Sequence, residues 1–324
     1  MRILYGIQLN GNGHITRASE IIEQLNQIGC SVDIIASGNN SNLSLAHPIK
    51  EKFKGLSLYY NSKGTIDWLS SIKDVNPYEL IKDTNYDVSK YDLVISDFEP
   101  ISAWSAHRSG VKSINISNQN SLLFKSTPKF NRDGIAEFFL KYFAYSQNRI
   151  GIHYQQYDNQ IFQPIVPKSI LTNPYETKDF ISVYLPAYNL KYLTESFKRH
   201  KSKKWVIFSK EVDNYYYDQN VKVFPLSLIN FQEHLKKCSG VITASGFSTT
   251  AEALVLGKKL WSIPIKKQYE QICNSKALED MGVFIEDLDY SNIQKWIEEY
   301  ESINYDWKNP ITSIMDKIFE IYES

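Results

Sequence analysis

Three short stretches of the chain carry residue types that chemistry needs. The first is VITASGFSTTAEALVL, from Val241 to Leu256. It reads as a short apolar strand, a turn at Gly246 and a helix whose first turn is dense in hydroxyls. A helix start offers unpaired N–H groups and the positive end of the helix dipole. Gly246 lets the main chain come close to a ligand, and Ser248, Thr249 and Thr250 can donate hydrogen bonds. That build suits an anion, above all a phosphate. Glu252 stands one turn into the helix, on a side that a sugar hydroxyl reaches. An ordinary capped helix has the same spelling, because Ser and Thr are common N-caps.

The second stretch is Asn10-Gly11-Asn12-Gly13-His14, between the first strand and the first helix. A glycine pair there invites a dinucleotide reading, but G-x-G-x-x-G needs a third glycine and position 16 is Thr. A nicotinamide or flavin site is therefore not expected. The alternative makes His14 the point of the loop, an imidazole able to take a proton near neutral pH at the carboxyl end of a strand. The third feature is Asp97, at the carboxyl end of the strand Leu93–Ser96. In a doubly wound sheet of order 3-2-1-4-5, strands one and four are neighbours. Asp97 and His14 are then expected to meet, the carboxylate fixing the tautomer and stabilising imidazolium as it forms. The plainer roles are a capping histidine and, for Asp97, an N-cap of the helix after Pro100.

Strand-like and helix-like segments alternate along the whole chain, which predicts parallel α/β sheets. Strands are expected at Ile3–Leu9, Val32–Ala36, Leu56–Tyr60, Leu93–Ser96 and Ser113–Ile116, and again at Ile181–Leu185, Lys204–Phe208, Val221–Phe224, Val241–Thr243 and Lys259–Ile263. Ile15, Ala18, Ile21, Ile22, Leu25 and Ile28 repeat at helical spacing after strand one, with Gly29 as the stop. Isoleucine and proline cluster between Ile161 and Pro174, and the prolines predict a linker there. The expected architecture is two Rossmann-like doubly wound parallel-sheet domains facing a central cleft, a common place for ligands. The boundaries read 1–165 for the first domain, 175–308 for the second, and 309–324 for a last amphipathic helix.

A length of 324 residues suits two domains. Lysine plus arginine equals aspartate plus glutamate at 36 each, so no basic field argues for nucleic acid. The three cysteines, Cys30, Cys238 and Cys273, are far apart, suit a reducing cytoplasm and form no metal-ligand pattern. With a strand expected from the second residue, no signal peptide is expected, and no apolar run approaches a membrane span. A cytoplasmic location is expected, at most peripheral to a membrane.

The order of these features resembles the GT-B-fold glycosyltransferases, especially bacterial UDP-sugar-dependent transferases and the GlcNAc transferase that makes the cell-wall lipid precursor. The resemblance covers nearly the whole chain. Ser245-Gly246-Phe247-Ser248-Thr249-Thr250-Ala251-Glu252-Ala253 looks like the donor motif, continued by Gly257-Lys258, Pro264, Glu270-Gln271 and Asn274. Gly11-x-Gly13-His14 and Asp97 match the acceptor-side turn and the histidine–aspartate pair. By that resemblance the first domain binds the acceptor and the second the nucleotide sugar. Ser248 and Thr249 would then meet the diphosphate, Glu252 the ribose, and Glu270 and Gln271 the donor sugar, with Ser245 and Gly246 also on the donor side. Many members carry His or Arg where this chain has Ala244; Arg17, Lys266 and Lys267 are candidates to supply that charge. Gln268 replaces Gln271 if the alignment slips by one set.

The resemblance implies an inverting hexosyl transfer from a nucleotide sugar, UDP-linked, to a hydroxyl acceptor. His14 would be the base and Asp97 its orienter. No metal or other cofactor is implied; Asp287-Leu288-Asp289 has the D-x-D spelling but reads as a solvated loop. The acceptor, a glycan, a lipid-linked group or a small molecule, is not legible. Between Ser121 and Tyr154 aromatic and basic residues mingle: Phe124, Lys125, Lys129, Phe130, Phe138, Phe139, Lys141, Tyr142, Phe143 and Arg149. Such a surface can dock on a membrane, but aromatics at helical spacing are expected in the core. Two other functions share the donor features: a UDP-GlcNAc 2-epimerase of the same fold, and a non-catalytic nucleotide-sugar-binding protein.

Overall fold

The computed structural model describes residues 1–9, 12–38, 45, 47–55, 77–131, 133–172 and 176–324. Asn10, Gly11 and the strand expected at 56–60 lie outside the described residues. The chain divides into two compact units. Among the described residues, one holds everything up to Pro167 together with Lys308–Ser324, and the other holds Lys168–Trp307.

The first unit runs β1 (Arg2–Gln8), α1 (Asn12–Gln27), β2 (Ser31–Ser37), β3 (Glu51–Phe53), α2 (Pro77–Asp83), β4 (Leu93–Asp97), α3 (Pro100–Ser109), β5 (Ser113–Ser117), α4 (Asn118–Ser121), α5 (Gly134–Tyr142), β6 (Asn148–Ile152) and β7 (Ile161–Phe162). Its sheet has the order β3-β2-β1-β4-β5-β6-β7, and every described pairing is parallel. The central strands are apolar on both faces, as helices on either side of a parallel sheet require. All five residues of β4 and six of the seven in β1 are buried. Gly6 of β1 has a steric reason: a Cβ there would stand 2.0 Å from Ser102 Oγ and 2.7 Å from a Glu99 carboxylate oxygen. The start of α3 therefore lies directly on β1, beside the end of β4.

The proline-rich stretch is not wholly a linker. Ile161 and Phe162 pair with Gly151 and Ile152 as an edge strand, and the prolines follow it. A proline next to an edge strand removes no ladder hydrogen bond. The last helix, α12 (Ile311–Glu323), packs within the first unit, where Lys112 Nζ donates to the carbonyls of Ile321 and Tyr322 at 3.3 and 2.8 Å.

The aromatic stretch departs from the core expectation. Leu140 of α5 and the following Phe143 are buried, but Phe130, Ile135 and Phe138 are 65%, 77% and 66% exposed, and Tyr142 is 38% exposed. Ile135, Phe138 and Tyr142 lie at spacings of three and four, so one face of α5 is apolar and open to solvent.

The second unit runs α6 (Lys168–Leu171), β8 (Lys178–Tyr184), α7 (Leu190–Phe197), β9 (Trp205–Ser209), β10 (Tyr216–Asp218), β11 (Val221–Pro225), α8 (Leu228–Lys237), β12 (Cys238–Ala244), α9 (Phe247–Val255), β13 (Lys259–Ile263), α10 (Tyr269–Asp280) and α11 (Tyr290–Glu299). The sheet order is β10-β11-β9-β8-β12-β13, parallel except for the β10–β11 hairpin. Trp205, Trp261, Trp296 and Phe197 are fully buried at its centre. Among the described residues no helix is long and apolar enough to cross a membrane.

Candidate functional site

In the first unit, β1 and β4 are paired with Ile7 opposite Asp97, so the carboxyl end of β4 lies beside the exit from β1 towards α1. His14 and Arg17 stand three residues apart on the first turns of α1, one above the other on a helix face. Both turn onto Asp97. His14 Nδ1 lies 2.6 Å from Asp97 Oδ1, and Arg17 Nε donates to Asp97 Oδ2 at 2.8 Å. A second guanidinium nitrogen of Arg17 also contacts Oδ1, making a bidentate pair. Arg17 reaches on to Asn118 Oδ1 of α4 at 3.4 Å.

Asp97 is wholly buried. Burial by itself pushes its carboxyl up, but the charges of Arg17 and His14, with the hydrogen bonds from both, outweigh it and hold the group below its ordinary value. An ionised carboxylate can only accept, so His14 Nδ1 carries the hydrogen and the Nε2 lone pair is left for a substrate proton. Asp97 is not the N-cap of α3. Glu99 is, its carboxylate accepting the N–H groups of Ile101 and Ser102 at 2.8 and 2.6 Å.

Phe98, between these two carboxylates, has φ of 51°. A bulky residue in the left-handed region costs roughly 1 kcal/mol or more. The turn places its ring parallel to His14, with centroids 6.5 Å apart, and against Phe143 at 4.9 Å. Gly13 lies within α1, one residue before His14.

In the second unit the turn after β12 begins α9. Ala244 ends β12 opposite Ile263 of β13. Ser245 is buried and its hydroxyl is paired with Ser262 at 2.7 Å, so what it offers a ligand is main chain. Gly246 is the N-cap residue of α9 with no side-chain cap, and a Cβ built there would meet no atom within 4 Å. The first N–H groups of α9 point to this open space, and Ser248 and Thr249 are half-buried beside it. Thr250 is different: its hydroxyl turns back to the carbonyls of Gly246 and Phe247 at 2.9 and 3.0 Å. Glu252 is buried, no described residue hydrogen-bonds its carboxyl, and burial pushes its pKa up to about 8.

The loop after β13 is tied to the same turn. Asn274 Nδ2 donates to the Ser245 carbonyl at 3.0 Å, and the Ile265 N–H donates to Gln271 Oε1 at 3.0 Å. Lys267 has φ of 70° just before α10. Glu270 lies in the first turn of α10, half-buried, with Gln268 at the N-cap position. A cleft of about 270 Å³ opens at the carboxyl edge of β8, β12 and β13, lined by Leu185, Pro186, Tyr188, Ala244, Pro264 and Ile265 among others. Open α/β sheets bind ligands at that edge.

Two of the three residues considered for the missing cation, Arg17 and Lys266, have carboxylate partners. Arg17 is 3% exposed and its guanidinium is committed to Asp97. Lys266 pairs with Asp287 at 2.8 Å on the surface. Lys258 is buried, donating from Nζ to the Lys236 carbonyl at 2.6 Å, and so anchors α8. Asp289 of the D-x-D spelling is the N-cap of α11. Sequence reasoning missed Arg17 as the partner of Asp97; the signal available was its position three residues after His14.

Residues 1–300 match the family model described as Glycosyl transferase family 1. No curated protein matches the sequence. Among solved structures, CalG4, the calicheamicin glycosyltransferase, superposes with a TM-score of 0.61 at 12% identity, covering 99% of this chain and 95% of CalG4. UGT89C1 of Arabidopsis thaliana, solved with UDP, gives 0.55 at 13% identity, covering 98% of this chain and 90% of its own. MurG of Acinetobacter baumannii gives 0.53 at 14% identity, covering 99% and 93%. With the family model matched over most of its length and two Rossmann-like units in its fold, this chain belongs to glycosyl transferase family 1 and is a GT-B glycosyltransferase.

Proposed function

We propose that the protein is an inverting, metal-independent transferase that moves a sugar from a UDP-linked donor to a hydroxyl acceptor. The observation that carries the reading is the buried His14–Asp97 pair at a strand end, with Nε2 of His14 left unbonded to Asp97. Direct displacement needs such a base. The acceptor O–H proton passes to His14 Nε2 as the oxygen forms a bond to the anomeric carbon. The bond from that carbon to the diphosphate oxygen breaks, and the nucleoside diphosphate leaves with the electron pair. One displacement inverts the anomeric centre.

Charge on the leaving diphosphate is assigned to the N–H groups of α9 with the hydroxyls of Ser248 and Thr249, which act without a divalent ion. Glu252 takes the ribose hydroxyls. Glu270 takes the donor sugar together with Gln268 or Gln271; the carbonyl of Gln271 already serves Ile265, which favours Gln268. UDP is supported by the motif and by the UDP carried by UGT89C1. A thermal-shift panel of UDP, GDP, dTDP and CMP without added metal tests the donor. UDP should raise the melting temperature most. Gly246→Ala should melt as the parent does, because φ is −69° and the Cβ meets nothing. It should nevertheless lose most of the UDP shift. A full UDP shift in that variant would remove the diphosphate from this turn.

The acceptor and the setting follow from a second observation. Ile135, Phe138 and Tyr142 of α5 are exposed, as is Phe130, and the same stretch of chain carries the exposed Lys125 and Lys141, the latter over the Tyr142 ring. Apolar residues framed by lysines suit an anionic bilayer surface. A peripheral position on a membrane, with a lipid-linked acceptor for a cell-envelope or surface polysaccharide, is the reading this surface supports, on the cytoplasmic side. The protein should float with anionic vesicles and not with neutral ones, and Ile135→Asp with Phe138→Asp should abolish flotation. Equal flotation of that double variant would assign the face another partner.

A further inference from the structure

Arg17 is the charged group closest to the proposed base that the reaction itself does not use. Its guanidinium is bidentate on Asp97, its side chain is buried, and it lies 3.1 Å from His14 Nδ1. We propose that Arg17 is a positioning residue that keeps His14 a neutral base by opposing the charge of Asp97. This rests on the reading of His14 as base.

A carboxylate beside an imidazole stabilises imidazolium, which is useful once the proton has arrived and harmful before it. Without Arg17, nothing on the carboxylate would offset the attraction of Asp97 for imidazolium. With Arg17 bound to both carboxylate oxygens, the three groups sum to zero while the imidazole is neutral. The guanidinium also stands close to the ring, and its like charge disfavours early protonation. Arg17 has two further effects: it fixes the Asp97 plane through two bonds, and it ties α1 to Asn118 of α4.

Other groups do not replace it. The charged or titratable groups that act on Asp97 besides His14 include Arg17 from α1 and Tyr5 from β1, and Glu99 follows two residues later. The Tyr5 hydroxyl is buried without a hydrogen bond, and burial, with the nearby Asp97 charge, pushes its pKa up, so it stays neutral. Asn118 is uncharged, and Glu99 is turned to the start of α3. Only Arg17 among these offers a positive charge.

The test reads the His14 ring directly. With ¹⁵N-labelled histidine, the six imidazoles can be followed from pH 5.5 to 9.5, and His14 is assigned by its absence in His14→Ala. Arg17→Gln retains hydrogen bonding and removes the charge. It should raise the His14 titration midpoint by about one unit or more relative to the parent, since a paired opposite charge shifts a group by roughly 1–3 units. Arg17→Lys, with a point charge instead of a fork, should raise it by less than the Gln variant does. A purely structural role would change the melting temperature and leave the midpoint in place. An unmoved midpoint in a folded Gln variant overturns the proposal. If that variant does not fold, the Lys variant decides, and an unmoved midpoint there overturns it equally. Failure of the base reading is separate: it would show as unimpaired donor turnover in His14→Ala, whatever the ring titration in the Arg17 variants.

Discussion

Alanine at position 14 should lower turnover of the nucleotide-sugar donor by about 10²–10⁴-fold, the usual worth of a positioned general base. Nucleotide affinity should not change, because the diphosphate and ribose groups are assigned to the second unit. The split between turnover and binding is what identifies a base as opposed to a binding residue. Loss of the ring also removes the partner stacked on Phe98, so the melting temperature needs to be measured alongside. A folded His14→Ala protein that turns donor over at the parental rate would assign proton removal to another group. One that loses UDP binding as well would move His14 into the nucleotide site.

The second large effect belongs to Glu252. Its carboxyl has a pKa near 8 in the folded chain against an ordinary value of 4.5, and burial is the cause. A carboxyl raised in this way binds a proton more tightly when folded than when unfolded. Stability is therefore lost as pH rises from about 4.5 to about 8, and the whole penalty is present above that range. At pH 7 it amounts to about 3 kcal/mol. Glu252→Gln carries no charge and should melt several degrees higher than the parent at pH 8, with the difference shrinking towards pH 5. The same change should weaken UDP by roughly tenfold or more, because hydrogen bonds to a charged group contribute about 1.5–3 kcal/mol. In the parent, ribose hydroxyls donating to the carboxylate favour its ionised form, so UDP affinity should rise between pH 6 and pH 8; in the variant that rise should vanish. Equal melting curves at pH 8 would mean that the carboxyl is hydrated, and equal UDP affinity would remove it from the ribose. A stabilising substitution that damages binding marks a residue kept for function at the expense of stability.

Much of the scaffold was legible because parallel α/β sheets write themselves plainly. Apolar runs such as Ile3–Ile7 and Leu93–Ile95 read as strands buried on both faces because each is short and followed by a helical period. The neighbouring of β1 and β4 followed from topology, and with it the meeting of His14 and Asp97. Edge elements were less legible. β3 has three residues and β7 has two, too short for any periodicity, and β7 hides within a run of prolines. The α5 stripe, expected in the core, is open to solvent for a related reason. A helical period tells which residues share a face, but whether that face meets a sheet or solvent depends on what lies opposite it.

The sequence by itself determined the two-unit α/β plan, the strand-end positions of His14, Asp97 and Gly246, and the family they resemble, since these rest on local period and chain order. The tertiary structure alone decided which polar groups are spent. It gave Arg17 to Asp97, Thr250 to the carbonyls of its own helix, Ser245 to Ser262 and Lys258 to the end of α8, while leaving the Glu252 carboxyl without a described partner. Hydrogen bonds are directional and short, so a partner is chosen within about 3 Å. Spacing along a chain does not fix distances at that scale between elements far apart in sequence; packing does.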